Sequence, residues 1–136
     1  MITWRLINYV NSTGKLPVQE FLDALQIGDP DRHAYFYDVL ERLLKDHGPG
    51  LGMPHFKRLP PTSFCEIRWN GADHAHYRIY CSIEKDRRLV LFHAVAKRWQ
   101  KFDSDDKAIC NERYSDYHSG DYDWRSRLNK RTGADS

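Results

Sequence analysis

Residues 76–101 read HYRIYCSIEKDRRLVLFHAVAKRWQK, and the fold is decided here. Side chains alternate faces along a strand with period two. Tyr77, Ile79, Cys81 and Ile83 form an apolar set, with Arg78, Tyr80 and Ser82 opposite. After the turn composition EKDR, Leu89, Leu91 and His93 alternate with Val90, Phe92 and Ala94. Two alternating runs joined by a short polar turn predict a β-hairpin. Upstream, SFCEIRW at 63–69 alternates in the same way, with Cys65, Ile67 and Trp69 facing opposite Phe64, Glu66 and Arg68. NGAD at 70–73 supplies the turn. The three runs predict an antiparallel meander. One face is apolar enough to pack on helices, and the other presents Arg68 and Arg78 on neighbouring strands with Tyr80 beside them.

Further out, ITWRLINYV at 2–10 has a strand pattern at Ile2, Trp4 and Leu6. Pro17 opens a helix with Val18, Phe21, Leu22 and Leu25 at 3–4 spacing, proline being tolerated in the first turn. GDPD interrupts it. Asp29 caps a second helix whose apolar stripe is Tyr35, Val39, Leu40, Leu43 and Leu44 and whose end falls near His47–Gly48. Two short neighbouring helices predict a helical hairpin. Asp103 or Ser104 starts a last helix running to Tyr117, and 119–136 is polar with little periodicity, a mobile tail by composition. The expected architecture is α+β: a small, mainly antiparallel sheet made of an N-terminal strand plus the meander, packed on an N-terminal helical hairpin, with a C-terminal helix. At 136 residues it forms one domain over 1–118 plus the tail.

Hydrophobic content of 40% and charged content of 29% describe an ordinary globular chain rather than a membrane-spanning one. The N-terminus lacks a signal-peptide pattern, and Cys65, Cys81 and Cys110 are too scattered for a disulfide framework or a zinc site, so they read as buried thiols in the cytoplasm. His74 and His76 flank a turn with no cysteine or carboxylate cluster to complete a metal site. No cofactor is implied. Net charge is only +2, but from His55 to Lys101 ten basic residues face four acidic ones, while both flanks are mildly acidic. A basic centre suits a phosphate-bearing partner. Glu66 offers a plainer reading, in which it pairs with Arg78 as part of a surface ion-pair ladder.

The ordered pieces PVQEFLDAL, KRLPPTSFCEIRW, HYRIYCSIEKDRRLVLFHAVAKRWQK and ERYSDY resemble the RelE/ParE toxin superfamily, above all its HigB-like, phage-derived branch. The resemblance spans roughly residues 2–117 and implies a type II toxin: a ribosome-dependent mRNA endonuclease, or mRNA interferase, that inhibits translation and is held by a cognate antitoxin, by analogy a helix-turn-helix protein. It aligns Arg68, Arg78 and Arg98, with Lys97 before it, on the family's catalytic cations. Two departures stand out. Glu66 occupies the place of a RelE lysine, and the RelE acid/base tyrosine falls near Asp103–Ser104, where none exists.

Metal-free RNA cleavage needs a base for the 2′-OH, cations for charge developing on phosphorus and an acid for the leaving oxygen. Guanidinium groups fit the second role because they donate in a fork to phosphate. The expected catalytic set is Arg68, Arg78, His93, Lys97 and Arg98, with His93 the first choice for proton transfer and His55 the second. The expected RNA-binding set is His55, Lys57, Arg58, Tyr80, Trp99 and Lys101, Trp99 stacking on a base. Competing readings are a ParE-like toxin that binds a protein target such as gyrase without cutting RNA, and an inactive RNA-binding relative.

Overall fold

The computed structural model describes residues 3–70, 76–97 and 101–131. Its centre is a five-stranded sheet in the order β1-β5-β4-β3-β2. The strands are β1 (Arg5–Asn8), β2 (Phe56–Arg58), β3 (Phe64–Asn70), β4 (His76–Glu84) and β5 (Arg88–Lys97). β1 lies parallel to β5, and all other pairs are antiparallel. The meander therefore forms as the alternation predicts. A further short strand, β2, joins it at one edge; of the turn expected at 70–73, Asn70 ends β3 and residues 71–73 lie outside the described set.

Helices cover both faces. On the first face lie α1 (Pro17–Gly28) and α2 (Pro30–Asp38), the latter continuing as a π-helical segment Val39–Leu44 and a last turn, α3 (Lys45–His47). Asp29 caps α2 by accepting the Arg32 amide at 3.3 Å. The apolar stripe differs from the expected one: Phe36, Val39, Leu40 and Leu44 are buried, while Tyr35 is half exposed and stacks on Trp69 with centroids 4.8 Å apart. Phe36, Leu40 and Leu44 recur at i+4 and so share one side of the helix. They meet Ile67, Ile79, Cys81, Leu89 and Leu91 from the sheet, together with Val18 and Leu22 from α1.

The second face was expected to be open, and it is not. Helix α4 (Ser104–Tyr117) lies over it, and Cys110 and Tyr114 join Phe64, Tyr80, Val90 and Phe92 in a second core. Segment 119–136, expected as a tail, contains helix α5 (Trp124–Arg131); residues 132–136 lie outside the described set. Periodicity missed α5 because it is held mainly by one arginine. Arg127 is 8% exposed, donates to the Val10 carbonyl at 2.9 Å and grips Asp116 at 2.5 and 2.9 Å. Its hydrogen bond holds the Asp116 carboxyl below the usual range. Burial and that neighbouring carboxylate push Tyr9, which donates to Asp116, up to about 12. All three cysteines are buried thiols.

Gly48, after α3, has φ +56°, and a Cβ built there would sit 2.3 Å from Trp4 Nε1. Its ψ of −142° places it in a region close to glycine-only. Gly48→Ala should destabilise the fold by about 2 kcal/mol or more, from backbone strain plus displacement of the indole. Urea denaturation followed by tryptophan fluorescence measures it. An unchanged midpoint would contradict the packing of Trp4 on this glycine.

Candidate active site

The second face carries the charged residues in cross-strand rows. Lys57, Glu66, Tyr80 and His93 lie side by side on β2, β3, β4 and β5; Arg68, Arg78 and Val95 form the next row, and Asn70, His76 and Lys97 the one beyond. Strict alternation would place His93 with Leu89 and Leu91, on the helix-packed face. A β-bulge prevents this. Tyr80 pairs with His93 but Cys81 pairs with Leu91, leaving Phe92 as the extra residue. Arg113 of α4 donates to the Phe92 carbonyl at 2.6 Å. Beyond the bulge the phase is inverted, and the His93 ring stacks with Tyr80 at a centroid distance of 6.0 Å.

Glu66 is the hub of the first two rows. Its Oε1 lies 3.5 Å from Arg68 Nη1 and 3.7 Å from Arg78 Nε. This is the pairing that the plainer sequence reading anticipated, but it is interior: side-chain exposures are 3% for Glu66, 10% for Arg68 and 0% for Arg78. Arg78 also donates to the Tyr77 carbonyl at 2.9 Å and reaches His76 Nδ1 at 3.4 Å. Burial lowers the pKa of its guanidinium, against the pull of Glu66. Arg68 also contacts Met53 Sδ at 3.8 Å, so the loop before β2 borders the cations.

Across the row, His93 Nε2 lies 3.0 Å from Asp106 Oδ1. Asp106 is 4% exposed, and its side chain turns inward while Asp103 caps α4 by accepting the Asp106 amide at 2.9 Å. The sequence reading started this helix at Asp103 or Ser104 and gave Asp106 no part in the site. Asp106 was the missed residue, and the signal was in the spacing: when Asp103 caps, the third residue after it already lies in the first turn of α4. Tyr80, expected to contact RNA, is fully buried beneath Phe102, with centroids 4.5 Å apart. Its hydroxyl has no hydrogen-bond partner among the described residues. Burial first, then the carboxylates of Asp106 and Glu66, raise the pKa of its phenol, which keeps it protonated.

The structure thus brings together Glu66, Arg68, Arg78, Tyr80, His93 and Asp106, with Lys57 exposed at the end of the row. It separates others. Arg58 pairs in register with Cys65, on the opposite face from Lys57. His55 lies by Tyr35, with ring centroids 6.4 Å apart, on the helix-packed side. Lys101 is exposed before α4. Lys97 ends β5 opposite His76; Arg98, Trp99 and His74 lie outside the described residues. Among the described residues, no group of three or more His, Cys, Asp or Glu is arranged to hold a metal.

Glu66→Gln should destabilise the protein by about 3 kcal/mol, because it removes the negative charge that lies between two buried guanidinium groups. Arg68→Gln, at the less buried end, should cost less. Chemical denaturation of both variants checks the order, and the reverse order would remove Glu66 from its place as hub.

A family model described as "Phage derived protein Gp49-like (DUF891)" matches residues 20–115. That span includes β2–β5, most of α4 and every residue of the charged cluster, and it leaves out β1 and α5. No curated protein matches the chain.

Proposed function

Since the chain belongs to the phage-derived Gp49-like family, a toxin-like family, we propose that it is the toxin of a type II toxin–antitoxin system. In this reading it is a RelE-like, ribosome-dependent mRNA endonuclease that acts in the cytoplasm and is held by a helix-turn-helix antitoxin. No helix among the described residues is long and apolar enough to cross a membrane. The observation that carries the nuclease reading is the row of cations beside a histidine–carboxylate pair on one sheet face.

The chemistry is an attack of the 2′-oxygen on phosphorus. The O2′–P bond forms, the P–O5′ bond breaks, and the products are a 2′,3′-cyclic phosphate and a 5′-hydroxyl. When His93 donates its Nε2 proton to Asp106, Nδ1 carries the lone pair that a general base requires. Asp106 acts by fixing that tautomer and by stabilising the imidazolium once the proton has moved. Arg68, at the less deeply buried end of the ion-paired set, is the guanidinium suited to the developing phosphorane charge. Arg78 has no exposed surface, so it serves as a positioning residue that holds Glu66 and raises the local positive potential. Lys97 and Arg98 follow on the chain as further phosphate ligands, with Lys57 and Lys101 as basic contacts and Trp99 as a stacking platform. An acid for O5′ is supplied by the His93 imidazolium returning its proton or by water.

A second reading has one observation in its favour. The burial of Arg78 and Tyr80 makes this face less open than a substrate groove requires, as in a ParE-like toxin that binds a protein target. Primer extension on a reporter mRNA, with and without translating ribosomes, separates the two. Cuts that need ribosomes are expected, reduced about 100- to 1,000-fold by Arg68→Ala and by at least about 100-fold by His93→Ala. Growth arrest on expression without any cut would promote the protein-binding reading.

A further inference from the structure

β1 is the outer strand at one edge of the sheet. The amides of Arg5 and Tyr9 donate to the carbonyls of Arg87 and Leu91, at 2.8 and 3.1 Å. Peptide groups alternate in direction along a strand, so those of Leu6 and Asn8 face away from β5. This outward row is closed at both ends. Trp4 N–H donates to the Lys45 carbonyl at 2.8 Å. At the other end, Val10 N–H donates to Tyr122 Oη at 3.1 Å, and the Val10 carbonyl accepts from Arg127 at 2.9 Å. Among the described residues, Leu6 and Asn8 remain between them as a two-residue window of backbone donors and acceptors.

The window borders a groove of about 680 Å³ between β1 and α5. Its lining is largely apolar, with Leu16, Tyr122, Leu128 and a 48%-exposed Trp124. The polar groups in it are few. Asn8 Oδ1 is buried with no hydrogen-bond partner among the described residues. Arg5, Arg88 and Asp86 line its charged end, where Arg88 donates to the Lys85 carbonyl at 2.9 Å and to Tyr117 Oη at 2.8 Å. Most of the lining lies outside residues 20–115, the span shared with the family.

We propose that this groove binds an extended apolar segment of a partner protein, bearing a carboxylate, which adds a strand to β1 at Leu6 and Asn8. Main-chain hydrogen bonds to the window would fix its register, alternate apolar side chains would enter the groove, and its carboxylate would meet Arg5 and Arg88. A second copy of this chain is a poorer occupant, because it would set the same arginine-lined surface against itself. The inference uses none of the residues of the cationic site and stands apart from the nuclease reading.

The test selects octapeptides from a random phage-displayed library on the purified full chain and measures them by fluorescence anisotropy. Selected peptides should alternate apolar side chains and carry aspartate or glutamate. Asn8→Pro should weaken them at least about tenfold, because it removes an outward N–H that the pairing with β5 does not use. Arg5→Glu, at an exposed position, is the independent variant and should weaken acidic peptides by a similar factor. Failure to select any peptide, or equal binding by both variants, would overturn the proposal. So would a concentration-dependent dimer abolished by Asn8→Pro, which would assign the edge to a second copy.

Discussion

Two guanidinium groups placed opposite one another on adjacent strands are the constraint around which this protein is built. Arg68 and Arg78 are cross-strand partners within the sheet, and both are buried. Like charges on cross-strand neighbours repel, and burial adds a desolvation cost to each. Glu66, one row away on the same face, faces both and makes the arrangement tenable. A sheet stabilised for its own sake would place apolar residues here, as its first face does. Keeping three charges in the interior makes sense for a face whose task is electrostatic.

The rest of the second face is arranged to serve that cluster. The bulge at Phe92 rotates His93 out of the first core and onto the charged side. Helix α4 holds the bulge through Arg113 and supplies Asp106 to the histidine. Phe102 closes over Tyr80, lowering the local dielectric around Glu66 and the arginines. Below the sheet, Phe36, Leu40 and Leu44 press on Ile67 and Ile79, the strand residues that alternate with Glu66, Arg68 and Arg78. The apolar core thus fixes the strands whose opposite faces carry the charge.

How much of this was legible follows from the range of each signal. The meander was readable because two-residue alternation is local, and α1 and α2 because their apolar spacing and Asp29 cap are local too. β2 was missed because three residues hold too little alternation to detect. α5 has no wide apolar stripe, and its attachment through Arg127 to Asp116 is visible only in three dimensions. The cations were recognised as a group, yet their burial was not, because covering by α4 is a tertiary event. The assignment of His93 to proton transfer came from residue type; its face came out inverted, since nothing in LFHAV announces an extra residue. Arg58 and His55 were grouped with Lys57 by proximity along the chain, and the sheet separates them.

The proposed reaction, set beside the histidine–aspartate pair and the ion-paired arginines, uses the substrate's own 2′-hydroxyl as nucleophile. The most direct measurement is single-turnover cleavage on purified ribosomes programmed with an end-labelled mRNA, beside the same message carrying one 2′-deoxynucleotide at the scissile position. The expected result is a cut in the all-ribose message, leaving a 2′,3′-cyclic phosphate and a 5′-hydroxyl, and no cut at the deoxy position. Cleavage of both messages, or of neither, would contradict it.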